Sequence, residues 1–317
     1  VNYAANLSAI RAAHARVQDH IHRTPVLTSR SMDQWLGREL FFKCEPFQRA
    51  GSFKIRGALN AVLSLSDEQA AAGVVTHSSG NFAQALALAA SLRGIPAHIV
   101  MPSNSPQVKQ RAVAGYGGRI ELCEPTLAAR EEAADRVVRE TGGTLLHPFD
   151  HPDVIAGQGT LALELIEQVP DLDAVVVPIG GGGLISGIAL ALHELAPKVR
   201  VFAAEPRGAD DAARSKAAGR LLRQEAPDTI ADGLLTSMGE HTWPVVRDLV
   251  EEVIVVDDSA IREAMERIWT RMKVLVEPSA AVPLAAVASP GFRERDGLAR
   301  VAVVLSGGNL DLKKLKQ

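Results

Sequence analysis

The chain has 317 residues, a formal net charge of -3, 47% hydrophobic, 4% aromatic and 22% charged residues, with a pI near 6.3. Near-balanced charge leaves no electrostatic footprint for nucleic acid and no basic run for an anionic membrane surface, and an apolar fraction this high excludes disorder. Two cysteines, Cys44 and Cys123, cannot build a disulfide scaffold, and neither Cys-x-x-Cys nor zinc-finger spacing occurs.

At about 150 residues per domain, the length suits one large or two ordinary domains. Arg11, Arg16 and Asp19 fall where a signal peptide needs an apolar stretch. The uncharged run from Ala174 to Leu192 approaches the length of a membrane span. Pro178 and four consecutive glycines interrupt it, which suits a buried strand, a turn and a buried helix instead. The expectation is a soluble protein of the reducing cytoplasm.

In chain order, apolar runs of strand length alternate with segments of helical period. Residues 74–76 precede a helical stretch over 81–92, 97–101 precede 107–114, and 119–122 precede 127–140. Later come 174–179 before 184–195, then 199–204, 253–256 before 259–272, and 301–305. This alternation with short Gly/Pro turns predicts an α/β fold with a mostly parallel sheet covered on both faces. No repeat, low-complexity tract or Ser/Gly linker marks a boundary, and the Pro-marked stretch from His147 to Pro152 is the best candidate for one.

Four turns carry chemistry. Gly180-Gly181-Gly182-Gly183-Leu184-Ile185-Ser186-Gly187 follows the strand at 174–179. Glycines let backbone N–H groups converge on an oxyanion, and the next helix adds its positive N-terminal end, so the loop reads as a phosphate site. It fits neither G-x-G-x-x-G nor a nucleotide P-loop. Gly51-Ser52-Phe53-Lys54-Ile55-Arg56-Gly57-Ala58 is the second, with Ser52 expected to N-cap a helix. Lys54 then sits in the first turn, where a cation opposes the helix dipole; it is either solvated or held there for imine formation. Thr76-His77-Ser78-Ser79-Gly80-Asn81 offers hydroxyls and N–H groups to a carboxylate, or is an ordinary serine cap. Leu305-Ser306-Gly307-Gly308-Asn309 ends the last strand, and ligands of α/β sheets gather at such carboxyl ends. No Gly-x-Ser-x-Gly elbow is present.

Together these turns resemble the signature of fold-type II pyridoxal phosphate enzymes, and more closely the serine racemase and serine/threonine dehydratase branch. The likeness runs from Arg23-Thr24-Pro25-Val26 to Ser306-Gly307-Gly308-Asn309. It implies a tryptophan-synthase-β-like fold of two open, mostly parallel sheets. About residues 1–66 and 151–317 would form the larger, cofactor-binding domain, and 73–145 a smaller inserted one that closes on substrate.

By the same resemblance Lys54 carries the cofactor, Phe53 lies against its ring, Asn81 bonds the ring hydroxyl, and Gly180, Gly181, Gly182, Gly183 and Leu184 hold its phosphate. Gly233 and Glu277 line the cavity, and Ser306 faces the pyridine nitrogen. A neutral hydroxyl there stabilises a carbanion less than an aspartate would, which favours expulsion of a β-leaving group. The implied reaction is dehydrative deamination of a 3-hydroxy-L-amino acid by an ammonia-lyase. Lys54 removes the Cα proton, the β-hydroxyl departs, and a 2-keto acid and ammonia result. The alternative is a serine-type racemase with elimination as a side reaction, since Ser79 matches a serine that reprotonates Cα on the opposite face. A rival of another class is a silent amino-acid sensor, which need not keep Lys54, Ser79 and Asn81.

Ser78, Ser79, Asn81, Phe82 and Arg130 are the implied substrate residues, with a homodimer and an amino-acid substrate as partners. Glu205, the Ala209 carbonyl and Asp211 resemble the branch's divalent-cation site, all oxygen and so suited to Mg, Ca or Mn; the other reading is an acidic helix N-terminus. Phe82 stands where the branch usually has histidine, and Phe149 where it often has a polar residue. Two phenyl rings make the pocket apolar and disfavour a second substrate carboxylate. The expected β-substituent is then that of threonine or 3-phenylserine, unless Phe82 merely packs between the domains. Arg130 equally suits a solvated helix position with i,i+3 or i,i+4 partners.

Overall fold

The computed structural model describes residues 3–311, apart from the Leu127 side chain. The strands are β1 (Val26–Leu27), β2 (Glu39–Cys44), β3 (Val74–His77), β4 (Ala97–Pro102), β5 (Arg119–Cys123), β6 (Thr144–Leu145), β7 (Ala174–Pro178), β8 (Arg200–Pro206), β9 (Glu252–Val256) and β10 (Arg300–Leu305). They form a six-stranded sheet of order β1-β2-β10-β7-β8-β9 and a four-stranded sheet of order β5-β4-β3-β6. Pairing is parallel throughout, except for β1 against β2.

Strand periodicity explains the layers. Along β7 and β10 alternate side chains point to opposite faces. Val175, Val177, Ala302 and Val304 enter one core with residues of the Pro152–Gln168 and Gly183–Leu195 helices. Ala174, Val176, Val301 and Val303 enter the other, with the Pro278–Ala288 helix. The smaller sheet repeats the plan. Val74 packs with the Asn81–Arg93 helix, and Val75 with Ala133, Ala134 and Val137 of the Leu127–Thr141 helix. Strands buried on both faces read as unbroken apolar runs, which is why they are visible in the sequence.

The model adds β1, β2 and β6 to the strands expected from periodicity. In β2 the run is broken by Lys43, whose buried amine donates to Glu164 at 2.6 Å and to the Thr24 carbonyl at 2.8 Å. The helix expected over 259–272 is α-helical only for Asp258–Arg267, continues as a π-helical turn over Ile268–Met272, and stops at Lys273 with φ +61°. Among the described residues no helix is long and apolar enough to cross a membrane.

Candidate active site

The four turns lie at the carboxyl ends of β2, β3, β7 and β10. Lys54 opens the Lys54–Ser64 helix, and the segment before it is stitched to the end of β10. Ser52 bridges Gly307, the Phe53 N–H donates to the Ser306 carbonyl at 3.0 Å, and the Gly308 N–H donates to Gly51 at 2.9 Å. Ser52 is therefore not the N-cap. Its backbone is held extended by the bridge, Phe53 takes the cap position without a side-chain bond, and the Ser52 hydroxyl is buried without a hydrogen-bond partner.

The Lys54 amine donates to the Pro148 carbonyl at 2.9 Å. It lies 5.1, 5.8 and 6.0 Å from the ring centroids of Phe53, Phe82 and Phe149. Desolvation in this apolar surround pushes its pKa down to about 8, against the opposing pull of Glu277. Glu277 is itself pushed up to about 7 by burial and by Asp232, with the Asn81 bond and Lys109 opposing.

Asn81 is the first residue of its helix and joins the two sheets. Its Nδ2 donates to Glu277 Oε1 at 2.8 Å, and its Oδ1 accepts from Asn309 Nδ2 at 2.8 Å. The same Asn309 nitrogen donates to the Ala50 carbonyl. The sequence places Asn309 in the Ser-Gly-Gly-Asn turn without revealing this role. Lys109, on the Gln107–Gly115 helix beside the smaller sheet, pairs with Asp232 at 2.8 Å, next to Gly233. The Gly233 N–H is occupied by Ser279 Oγ at 2.9 Å.

Side chains are excluded from the tetraglycine loop. A Cβ on Gly181 would fall 2.3 Å from the Phe149 ring, on Gly183 2.8 Å from the Phe149 carbonyl, and on Gly180 3.0 Å from Leu234 Cα. Among the described residues, the N–H groups of Gly181, Gly182, Gly183 and Leu184 have no acceptor. Four donors converging at the start of the Gly183–Leu195 helix are the arrangement that suits an anion.

Ser78 is fixed by its N–H to the Val100 carbonyl and accepts weakly from Gly80, while the half-buried Ser79 hydroxyl has no protein partner among the described residues. Phe82 is 1% exposed and packs with Ile55, Leu59 and Val62, so it serves the core between the Lys54–Ser64 and Asn81–Arg93 helices while its ring faces the lysine amine. Phe149 meets His147 edge-on, and His147 meets His77. Burial pushes the His147 imidazole down to about 4, and its Nδ1 accepts from the Asp150 N–H. Arg130 bonds the Thr126 carbonyl of its own helix start, and its charge adds to burial in pushing the His77 pKa down; among the described residues it forms no i,i+3 or i,i+4 ion pair.

Glu205 accepts from the Ala212 and Ala213 N–H groups at 3.0 Å, and Asp211 Oδ2 accepts from Met238. Ala209 is buried beside them. Burial pushes Glu205 up to about 8 and Asp211 up to about 6. Asp211 opens the Asp211–Ala218 helix, as the acidic N-terminus reading required. Among the described residues no group of three His, Cys, Asp or Glu side chains is arranged to hold a metal.

A lysine of lowered pKa facing an anion loop at the carboxyl ends of parallel strands is the arrangement expected of an enzyme that holds a phosphorylated aldehyde. Residues 17–307 match the family described as pyridoxal-phosphate dependent enzyme, and the chain belongs to that family. It is 54% identical over 316 residues to a serine racemase of Arabidopsis thaliana, covering 99% of this chain and 96% of that one. It is 52% identical to a β-hydroxyaspartate dehydratase of Paracoccus denitrificans, covering 96% of each. The solved structure of maize serine racemase superimposes with a TM-score of 0.98 at 53% identity, covering 99% of this chain and 97% of that one.

Proposed function

We propose that the protein is a serine racemase that also eliminates water from 3-hydroxy amino acids. The observation that carries this is identity above 50% along nearly the whole chain to serine racemases, joined to a Ser79 hydroxyl left free in the turn after β3. Racemisation thus takes first place over the dehydratase that the motifs and Ser306 favoured. The dehydratase reading is supported by the Paracoccus relative at 52% identity.

The residues present fit pyridoxal phosphate: four unpaired N–H groups answer the phosphate, no side chain intrudes on them, and a lysine of lowered pKa stands nearby. When bound, the cofactor supplies the electron sink that makes the substrate Cα–H acidic. Lys54 holds the cofactor and, once released from it, takes and returns the Cα proton, a task suited to an amine with a pKa near neutrality. Ser79 delivers a proton to the other face of Cα, and that second donor separates racemisation from plain elimination. The N–H groups of Ser79 and Asn81, which have no acceptor among the described residues, hold the substrate carboxylate. Asn81 would meet the cofactor hydroxyl and Ser306 its ring nitrogen, while Phe53, Phe82 and Phe149 make the surroundings of the lysine apolar.

A divalent cation completes the proposal. Among the described residues, buried Asp211 Oδ1 has no hydrogen-bond partner; Glu205 lies near the end of β8 and Ala209 ends the turn that leads to Asp211. Mg, Ca or Mn would be held there by oxygen alone, in a structural rather than catalytic role.

Proton NMR in D₂O, with L-serine, D-serine, L-threonine, L-threo-3-phenylserine and 3-hydroxyaspartate in parallel, tests the assignment. Cα exchange and interconversion of the serine enantiomers are expected, with slower keto-acid formation. Keto acid without exchange in the remaining substrate would make the protein a dehydratase, and the substrate consumed fastest would name it. Preference for 3-phenylserine over 3-hydroxyaspartate is the result expected of the apolar wall formed by Phe82 and Phe149.

A further inference from the structure

The phosphate reading rests on Gly180 to Leu184, yet a run of four glycines is the least self-constrained backbone a chain offers. Something outside the loop must decide which way its peptides face. The 239–242 turn meets it directly. Thr242 is 0% exposed, and its hydroxyl donates to the Gly181 carbonyl at 2.8 Å, the nearer of two acceptors, the other being the Gly239 carbonyl at 3.1 Å. The Gly239 N–H donates to Thr242 Oγ1 at 3.0 Å and reaches the Gly181 carbonyl at 3.4 Å.

No peptide bond of the described residues is cis. In a trans peptide the C=O and the following N–H point to opposite sides. Holding the Gly181 carbonyl toward Thr242 therefore turns the Gly182 N–H away from it, into the set of unpaired donors. Gly182 has φ +87°, and a Cβ there would lie 2.8 Å from both Cβ and Oγ1 of Thr242, so the two residues are in direct contact. With that peptide flipped, a carbonyl oxygen would face the phosphate in place of a donor.

The turn is pinned in its own right. Asp150 accepts from the Glu240 N–H at 3.0 Å and the His241 N–H at 2.9 Å, and it packs against Gly239. Asp150 directly follows Phe149, whose ring lies on Gly181. The glycine loop is thus gripped by one connected unit, Phe149-Asp150 together with 239–242.

Building on the cofactor reading above, we propose that Thr242 is a positioning residue for the phosphate site. It orients the Gly181–Gly182 peptide so that the Gly182 N–H faces the anion, and Asp150 holds the turn that carries Thr242.

The test uses the full chain, stripped of cofactor and titrated with pyridoxal 5′-phosphate or with pyridoxal, which lacks the phosphate; the absorbance of the lysine imine reports binding. T242V removes the donor at nearly constant volume and is expected to weaken pyridoxal 5′-phosphate by about tenfold, the effect of one buried hydrogen bond. Pyridoxal should be unchanged, and T242S should restore the phosphate form to within about threefold. Equal losses for both ligands, an unchanged T242V, or failure of serine to restore binding would each overturn the proposal. Should T242V not fold, D150N is expected to act in the same direction, again on the phosphorylated ligand alone; its failure to discriminate would also count against Thr242. Wild-type protein that binds the two ligands equally would instead refute the phosphate reading itself.

Discussion

The Asn81 amide donates to the Glu277 carboxylate at 2.8 Å across 196 positions of sequence, joining a helix on the smaller sheet to the N-cap of one packed on the larger. With the Asn309 amide on the other side of Asn81, it links the turns after β3 and β10 through a single side chain. The groups facing Glu277 are Asn81, Asp232, Lys109, the backbone of Asn309 and the Lys54 amine.

Because Glu277 titrates near 7 in the folded chain and near 4.5 when unfolded, the folded state keeps its proton between those values. Its contribution to stability is fully present below about 4.5 and is lost as pH rises through about 7. Glu277→Gln should flatten that decline in the thermal midpoint of the cofactor-free protein. An unchanged slope from pH 5 to 8 would show that the carboxyl titrates normally.

Lys54 attacks as the neutral amine, so its covalent capture of pyridoxal phosphate should rise with pH to a midpoint near 8, well below the 10.5 of an ordinary lysine. Stopped-flow absorbance across this range is the measurement. A rate still climbing beyond pH 10 would contradict the desolvated setting. Lys54→Ala should show no borohydride-reducible imine.

Lys109 and Asp232 are 23% and 52% exposed, so their ion pair is worth only about 0–1 kcal/mol and is screened by salt. Lys109→Met should raise KM by up to about fivefold at low ionic strength, with little change in kcat, and added salt should erase the difference. The exchanged pair, K109D with D232K, should return KM toward the native value; if it behaves as the worse single variant, the pair does not hold the two sheets together.

Arg56 is fully buried between Glu45 and Glu164, at 2.8 and 2.6 Å, and Lys43 completes the group against Glu164. Arg56→Met leaves two buried carboxylates with one cation and should cost about 3–5 kcal/mol in urea unfolding. The exposed Arg136–Glu140 pair is the control, and Arg136→Ala should cost under about 0.5 kcal/mol. Equal effects would mean that the buried group is solvated.

Much of the site was legible because the chemistry sits in short glycine- and serine-rich turns at strand ends, where backbone requirements leave a local mark. Lys54, Asn81 and Gly180 to Gly183 are of this kind. What was not legible depends on distant partners. Strand β2 is hidden by Lys43, which is tolerable inside only because Glu164 meets it from 121 residues away. Ser52 looked like a cap until Gly307 drew it into a bridge. Thr242 has ordinary neighbours in sequence, and although Asn309 ends a glycine-rich turn, the contacts of the two with Gly181 and Asn81 exist only after folding.

Strand β10 lies between β2 and β7, pairing Arg300–Leu305 with Glu39–Cys44, and its end carries the backbone that holds Ser52 and Phe53. A chain emerging from the ribosome therefore cannot complete the middle of its larger sheet until residue 305 has been made, although Lys54 left the exit tunnel long before. Truncated or stalled chains would carry the lysine without the scaffold that shields it. Productive capture of the cofactor is thereby deferred until β10 has been made, and colour in a preparation becomes a report that synthesis has passed residue 305.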